Sequence, residues 1–402
     1  MRVTLPALRV EHRRRKVALI LTIFFAISLV TNILGPIVPD LIRDFRLSLT
    51  LAAALPLSFF LAYGLCSIPA GLLVERYREK PVLVGAFALV LAGSLAFALL
   101  RTYPVALGSL FTIGVGMALL QVAVNPLLRV TGGEARFAFN SVLGQLVFGL
   151  ASFGSPWLYA LIVAHDPRPR AWISLYWIFA GVAAVMIVLV AAARFPTVTR
   201  TDEEAAGSFS TYAALARRPV VIAYAAGIFA YVGTEQGLAN WMSEYLHIYH
   251  RLDPQREGAQ AVAWFWGLMT AGCVLGLVLL GRFDSRRVLF AFTAGALLLL
   301  TVALHGGPQA ARWAFPLLGF SASVMWSVIF SLALNSVPDH HGAFSGILCT
   351  AIVGGAVVPY LIGALGDRFG LRAGMTVLYA TLGYLLALPR WARPLVADEA
   401  RA

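Results

Sequence analysis

The sequence predicts an all-α integral membrane protein in which twelve transmembrane helices form two bundles of six. Three observations carry that prediction. Of 402 residues, 60% are hydrophobic and only 12% charged, with a mean hydropathy of +0.81, too little polar surface for an ordinary soluble domain. Apolar runs of about 20 residues recur along the chain, each long enough at ~1.5 Å per residue to cross a ~30 Å hydrocarbon core. The longest polar connection lies in the middle and separates six such runs from six.

The elements follow in order. A basic N-terminus, 1–16, carries the run RVEHRRRK. The span 17–41 is too long, and followed by too many others, to be a cleaved signal peptide, so it is expected to persist as the first helix. It contains Thr31 and Asn32, then Gly35-Pro36 and Pro39, which predict a kink towards its outer end. The span 50–74 ends in the loop VERYREKPVL, and 81–100 brings the chain back. The span 104–129 holds Gln121 and Asn125-Pro126, with the two amides at i, i+4 on one face. The span 139–164 has Asn140 near its inner end and Gln145 further in, and 172–193 completes an N-terminal bundle over 17–193. A polar linker, 194–218, leads to a C-terminal bundle over 219–390, made of spans 220–246, 261–281, 287–305, 312–336, 343–366 and 373–390. Residues 391–402 form the C-terminus.

Charge sets the orientation. With the N-terminus inside, 21 of the 31 Lys and Arg residues fall on the inner side and 10 on the outer, so the positive-inside rule places both termini and the linker in the cytoplasm. The net charge of +12 is largely this bias, with lipid headgroups as its counter-charge, and no basic-aromatic platform points to nucleic acid. Cys66, Cys273 and Cys349 all fall inside spans without ligand spacing and read as small packing residues. His340-His341 is the only adjacent histidine pair, so no metal centre is expected. No nucleophile-base constellation or cofactor loop marks an enzyme.

Polar groups at membrane depth are costly unless paired or lining a cavity, so each is a site candidate. Of nineteen acids, only Glu235 lies well inside a span, 16 residues beyond Pro219, or roughly 24 Å along a helix. Tyr231 and Glu235 share one face, Gln236 and Asn240 the neighbouring one, and Gly233 and Gly237 bracket the carboxylate. Asn32 lies at a matching depth in the first half. Amides offer both donors and acceptors, which suits a neutral polyhydroxylated solute better than an ion. Trp241, Trp264, Trp266 and Trp326 offer flat faces for a sugar ring, or serve as interface and core residues. Glu235 is either an ion-coupling group or a structural anchor.

The two halves repeat. VERYREKPVL (74–83) and LGRFDSRRVL (280–289) align at a constant offset, pairing Arg76 with Arg282 and Val82-Leu83 with Val288-Leu289. Such parallel halves resemble the major facilitator arrangement, in which substrate binds between two bundles that rock against each other. The loop charges are positive-inside anchors or a cytoplasmic latch of the outward-open state. Glu75, Arg76, Arg78 and Glu79 would supply one side of the latch, Arg282 and Asp284 the other.

The run SVMWSVIFSLALNSVPDHHGAFSGILCTAIVGGAVVPYLIGALGDRFGLRAG (323–374) resembles the tenth and eleventh helices of the fucose:proton symporter family, which includes bacterial fucose and glucose/galactose permeases. GMALLQVAVNP (116–126) is similar to that family's fourth helix, and IFAYVGTEQGLANW (228–241) to its seventh. The resemblance implies a hexose or deoxyhexose transporter. Departures accompany it. The acid of the fucose pattern in the first helix, four residues before the proline matching Pro39, is Gly35 here, and the second acid, in the fourth helix, is Gln121, as in the glucose/galactose branch. Ala322 and Ser327 replace an Asn and a Pro frequent in the tenth helix, and Asn140 aligns in two ways.

The expected function is secondary active transport of a neutral monosaccharide around Asn32, Gln121, Asn125, Gln145, Tyr231, Gln236, Asn240 and Trp326, coupled to H⁺ or Na⁺ through Glu235, in a bacterial inner membrane. No cofactor is expected, and a monomer is expected to suffice. An uncoupled sugar facilitator, an exporter of amphipathic drugs or metabolites, and a receptor with a transporter fold are the alternatives.

Overall fold

The computed structural model describes residues 4–132, 137–166, 170–195, 209–337 and 340–392. The linker stretch 196–208 lies outside them. Helices α1 (Thr4–Thr31) and α2 (Leu34–Phe45) together make the first span. The break at Asn32–Ile33 meets the expected kink, and Pro36 occupies the third position of α2, where a missing N–H removes no intrahelical bond. The first half continues with α3 (Leu49–Tyr77), α4 (Glu79–Leu99), α5 (Tyr103–Gly132), α6 (Phe137–His165) and α7 (Ser174–Ala192). A short helix, α8 (Phe209–Leu215), precedes the second half.

The second half opens with α9 (Pro219–His250), α10 (Ala259–Leu280) and α11 (Ser285–His305). Its last three spans are each interrupted: α12 (Pro308–Ala322) with α13 (Met325–Leu334), α14 (His341–Thr350) with α15 (Gly354–Phe369), and α16 (Leu371–Met375) with α17 (Val377–Trp391). Among the described residues, eleven helical segments are long and apolar enough to cross a membrane. The twelfth expected span is α9, 32 residues long but too polar around Glu235, Gln236, Asn240 and Glu244 to join that set. Protein covers it instead, because α2, α12, α13, α15 and α17 pack around it.

The halves meet where α3 packs on α14 and α15, α6 on α10, and α2 on α9. Small residues permit the closest approaches. A Cβ on Gly149 would lie 2.1 Å from Thr270 Oγ1, and one on Gly35 would lie 2.1 Å from the Ala239 carbonyl oxygen. Gly35 is therefore the residue that lets α2 rest on the backbone of α9.

Polar contacts join the halves at the end remote from the termini, called outer here after the charge bias. The Asp367 carboxylate, at the end of α15, accepts hydrogen bonds from Leu49 N and Thr50 N (2.8 Å each) and from Thr50 Oγ1 (2.5 Å). It thereby satisfies N–H groups that the first turn of α3 cannot pair internally, and it places a negative charge at a helix N-terminus. Asp40 of α2 is 1% exposed. It accepts from Tyr159 Oη (2.5 Å) in its own half and from Gln255 Nε2 (2.9 Å) in the other, and pairs with Arg43.

The expected cytoplasmic latch looks different. Glu75, Arg76 and Arg282 are exposed, and Arg76 lies beside the Tyr77 ring. Arg76 and Arg282 form no ion pair among the described residues. Asp284 caps α11, accepting from Arg286 N (2.8 Å) and pairing with the Arg286 side chain (3.1 Å). That partnership holds its carboxyl below the usual range. In this conformation the outer ends are joined, and Asp284 is engaged within its own half.

Gly35→Val and Asp367→Asn are expected to fold but to favour separated outer ends. Asp367 is exposed, so losing its charge should cost about 0.2–1 kcal/mol and shift the open-to-closed ratio by up to about fivefold, at ~1.4 kcal/mol per decade. In a cysteine-free background, a cysteine at the buried position Val38 should react faster with a membrane-impermeant maleimide in both variants. Unchanged labelling would show that these contacts do not hold the outer side shut.

Candidate functional site

The site is built on α9. Every residue from Ala230 to Leu246 is buried except Glu235. Glu235, partly buried, is the one position in that stretch with accessible surface beside it. The Tyr231 hydroxyl, one turn earlier, donates to Glu235 Oε1 at 3.0 Å. The Tyr231 ring packs against Trp326 (centroids 6.1 Å apart), which stacks on Phe330 (5.7 Å, 24° between planes). Trp326 is half-buried and lies just after the break at Ser323–Val324, which separates α12 from α13. Cys273 of α10 is exposed, donates to the Ser323 carbonyl (3.4 Å) and lies within electrostatic range of Glu235 and Tyr231. The carboxylate, a phenol, an indole and a thiol from α9, α13 and α10 thus share one neighbourhood in the second half.

Several expected site residues are placed elsewhere. Asn32 is 5% exposed and its Nδ2 donates to Ser152 Oγ at 2.8 Å, so it is held between α1 and α6. Ser28 extends the same network, donating to the Phe148 carbonyl (2.6 Å) and meeting Ser152 Oγ (2.7 Å). Asn240 Nδ2 donates to the Gln236 carbonyl at 2.8 Å, on its own helix. Gln236 is buried with its Cγ in the space left by Gly355, on the α15 side. Gln121 on α5 is half-buried, and Gln145 on α6 is exposed. Asn125 is in α5, but its side chain lies outside the described residues.

The tryptophans also divide. Trp241 is 1% exposed, with its N–H bonded to the Pro359 carbonyl (2.9 Å), so it packs the α9–α15 contact. Trp264 is exposed and meets Phe153 of the other half (5.5 Å), while Trp266 is buried with its N–H unpartnered. Thr234, a conceivable ion ligand beside Glu235, instead meets the Ala230 carbonyl (2.8 Å) and Thr381 Oγ1 (2.6 Å).

Sequence reasoning missed Cys273, because a lone cysteine in a span carries no signal. It also placed Asp40 and Asp367 at span ends, where acids are ordinarily solvated. The i, i+3 pair Asp40 and Arg43 was the one local hint that Asp40 is held.

Comparisons extend the picture. The Major Facilitator Superfamily model matches residues 20–359. A glucose/galactose transporter of Brucella abortus biovar 1 is 31% identical over 380 residues, covering 90% of each chain. The L-fucose-proton symporter of Escherichia coli K12 is 24% identical over 391 residues, covering 88% of this chain and 87% of its own. A crystal structure of the E. coli fucose:proton symporter aligns with a TM-score of 0.70 at 20% identity, over 94% of this chain and 98% of that one. A bacterial homologue of the lysosomal transporter Spinster, inward-facing and unoccupied, gives 0.67 at 14% identity, over 95% and 93%.

The indoles Trp241 and Trp326 should separate folding from site. Trp241→Ala removes a sealed aromatic and is expected to cost about 3–5 kcal/mol, seen as a lower Tm and a smaller monodisperse fraction. Trp326→Ala, at a half-buried position, should leave both nearly intact. The reverse order would move the site away from α13.

Proposed function

We propose, because the chain belongs to the Major Facilitator Superfamily, that it carries a neutral hexose across a bacterial inner membrane by alternating access, coupled to a proton held by Glu235. The observation that carries this reading is the partly exposed Glu235 in the otherwise buried stretch 230–246 of α9, bonded to Tyr231, whose ring packs on Trp326. An aromatic face packs against the apolar face of a pyranose ring, and the surrounding donors and acceptors suit its hydroxyls. The extent of the match to the glucose/galactose transporter, 90% of both chains at 31% identity, favours glucose or galactose over fucose.

The choice of ion follows from the neighbours of Glu235. A hard cation needs a shell of several oxygens. Thr234 is committed to Ala230 and Thr381, and Tyr231 directs its hydroxyl hydrogen to Glu235, which leaves little of such a shell. A proton needs one carboxylate. Protonated, Glu235 crosses the membrane interior without the cost of a naked charge. Released on the cytoplasmic side, the proton leaves an anion that the Tyr231 hydroxyl stabilises by donation. The bias of Lys and Arg supports cytoplasmic termini, and one chain supplies both halves, so a monomer suffices.

Proteoliposomes containing the purified protein should exchange labelled glucose or galactose against internal unlabelled sugar, and exchange fucose less. No exchange across this panel would remove the sugar reading. Glu235→Gln should keep counterflow, which moves no net proton, but lose accumulation driven by a pH gradient. For one proton per sugar that accumulation is worth about tenfold per pH unit, at 1.36 kcal/mol per unit. Accumulation that survives in Glu235→Gln would exclude this carboxylate as the coupling group.

A further inference from the structure

A recess lies at the outer end of the second half, away from Glu235. It has a volume of about 470 Å³ and is lined by Asp253, Arg256, Glu257, Gln260 and Arg312. Beside it runs an apolar strip of Trp264, Trp313 and Pro316, which shares Glu257, Gln260 and Arg312 with the recess. Trp264 and Trp313 are 46% and 59% exposed. Each sits five residues into its helix, α10 or α12, about 7 Å below the charged layer. Two exposed indoles at one depth on adjacent helices suit the boundary between headgroups and acyl chains.

The charges above that boundary are balanced but only partly used. Arg312 pairs with Glu257 at 3.2 Å, and Glu257 also accepts from Asp253 N at 3.2 Å. Asp253 spends one oxygen on Gln255 N (2.9 Å), while its side chain stays exposed. Arg256 is exposed and pairs with no carboxylate among the described residues. A free guanidinium stands beside a half-engaged carboxylate, over a membrane-facing apolar strip.

We propose that this recess binds the headgroup of a phospholipid carrying both a phosphate and a primary ammonium, as in phosphatidylethanolamine. Arg256 and Arg312 take the phosphate, and Asp253 accepts from the ammonium. One acyl chain lies along Trp264 and Trp313. A purely anionic headgroup leaves the Asp253 carboxylate uncompensated, and a quaternary ammonium has no N–H to donate. A free sugar fits less well, because the recess opens on the membrane-facing indoles and belongs to one half alone.

The site bears on the closed outer side. Pro254–Gly258 forms a π-helical turn, a geometry frequent at functional sites. It carries Gln255, whose Nε2 reaches Asp40 across the halves at 2.9 Å. A headgroup seated on Arg256 and Asp253 braces that turn from both flanks and so favours the joined outer ends.

The test uses the full chain in detergent micelles, with equal mole fractions of phosphatidylethanolamine, phosphatidylcholine or phosphatidylglycerol added, and needs no sugar. Phosphatidylethanolamine should raise Tm more than the other two. Arg256→Ala removes an exposed, unpaired side chain without disturbing the fold and should abolish that excess. Arg101→Ala, another exposed arginine, should retain it. Equal rises with all three lipids, a larger rise with phosphatidylglycerol, or an excess that survives Arg256→Ala would each overturn the proposal.

Discussion

The rest of the structure depends on the need to cover α9. A helix that carries Glu235, Gln236, Asn240 and Glu244 cannot face hydrocarbon, so five other helices enclose it. Enclosure decides what the helix does. Sixteen of the seventeen positions from 230 to 246 are buried in packing, and the remaining one, Glu235, keeps part of its surface accessible. The partners of Glu235 follow from the same arrangement. The break between α12 and α13 brings Trp326 beside Tyr231, and α10 brings in Cys273.

Alternation requires contacts between the halves that are specific yet breakable. The close approaches at Gly35 and Gly149 fix how closely the halves meet. The polar ones sit at the outer ends, where Thr50 and the Asp367 contacts reach solvent. Water competes for exposed charged hydrogen bonds and leaves each worth little, so opening exchanges them for hydration at modest cost. Placed at the depth of Glu235, the same bonds would lock the halves, since an unpaired charge there has no water to take the partner's place. The buried arrangement at Asp40 is intermediate. Its Tyr159 and Arg43 partners move with it, so opening costs it only Gln255.

Much of this was legible in the sequence. Helix ends fall within a few residues of the expected spans, because length and hydropathy are local properties, except that α1 starts at Thr4 and so takes in most of the basic segment expected to precede the first span. The kink of the first span and the depth of Glu235 were equally readable from prolines and residue counts. The roles of the amides were not. Asn32 and Asn240 sit on polar helix faces, but whether such a face meets a cavity, a serine on α6 or its own backbone depends on tertiary neighbours, such as Ser152, that lie far along the chain. Trp241 and Trp326 illustrate the same limit, one sealed and one half-buried. The break at Ser323–Val324 has no proline or glycine within it and left no local trace.

Gly35 is where the joined halves leave no room for a side chain. Even a single Cβ at that position would sit 2.1 Å from the Ala239 carbonyl oxygen when α2 rests on α9, and a carboxylate would hold the two helices apart. The first span accordingly carries no acid at this position, and α5 carries Gln121. Under the proton coupling proposed above, the proton is carried on a helix that accommodates a side chain with changing charge. Glu235 fits that requirement, because it is partly exposed and its Tyr231 donor lies on the same helix. Rocking of one half against the other leaves that pair undisturbed, so the proton site can remain intact while access to it changes sides.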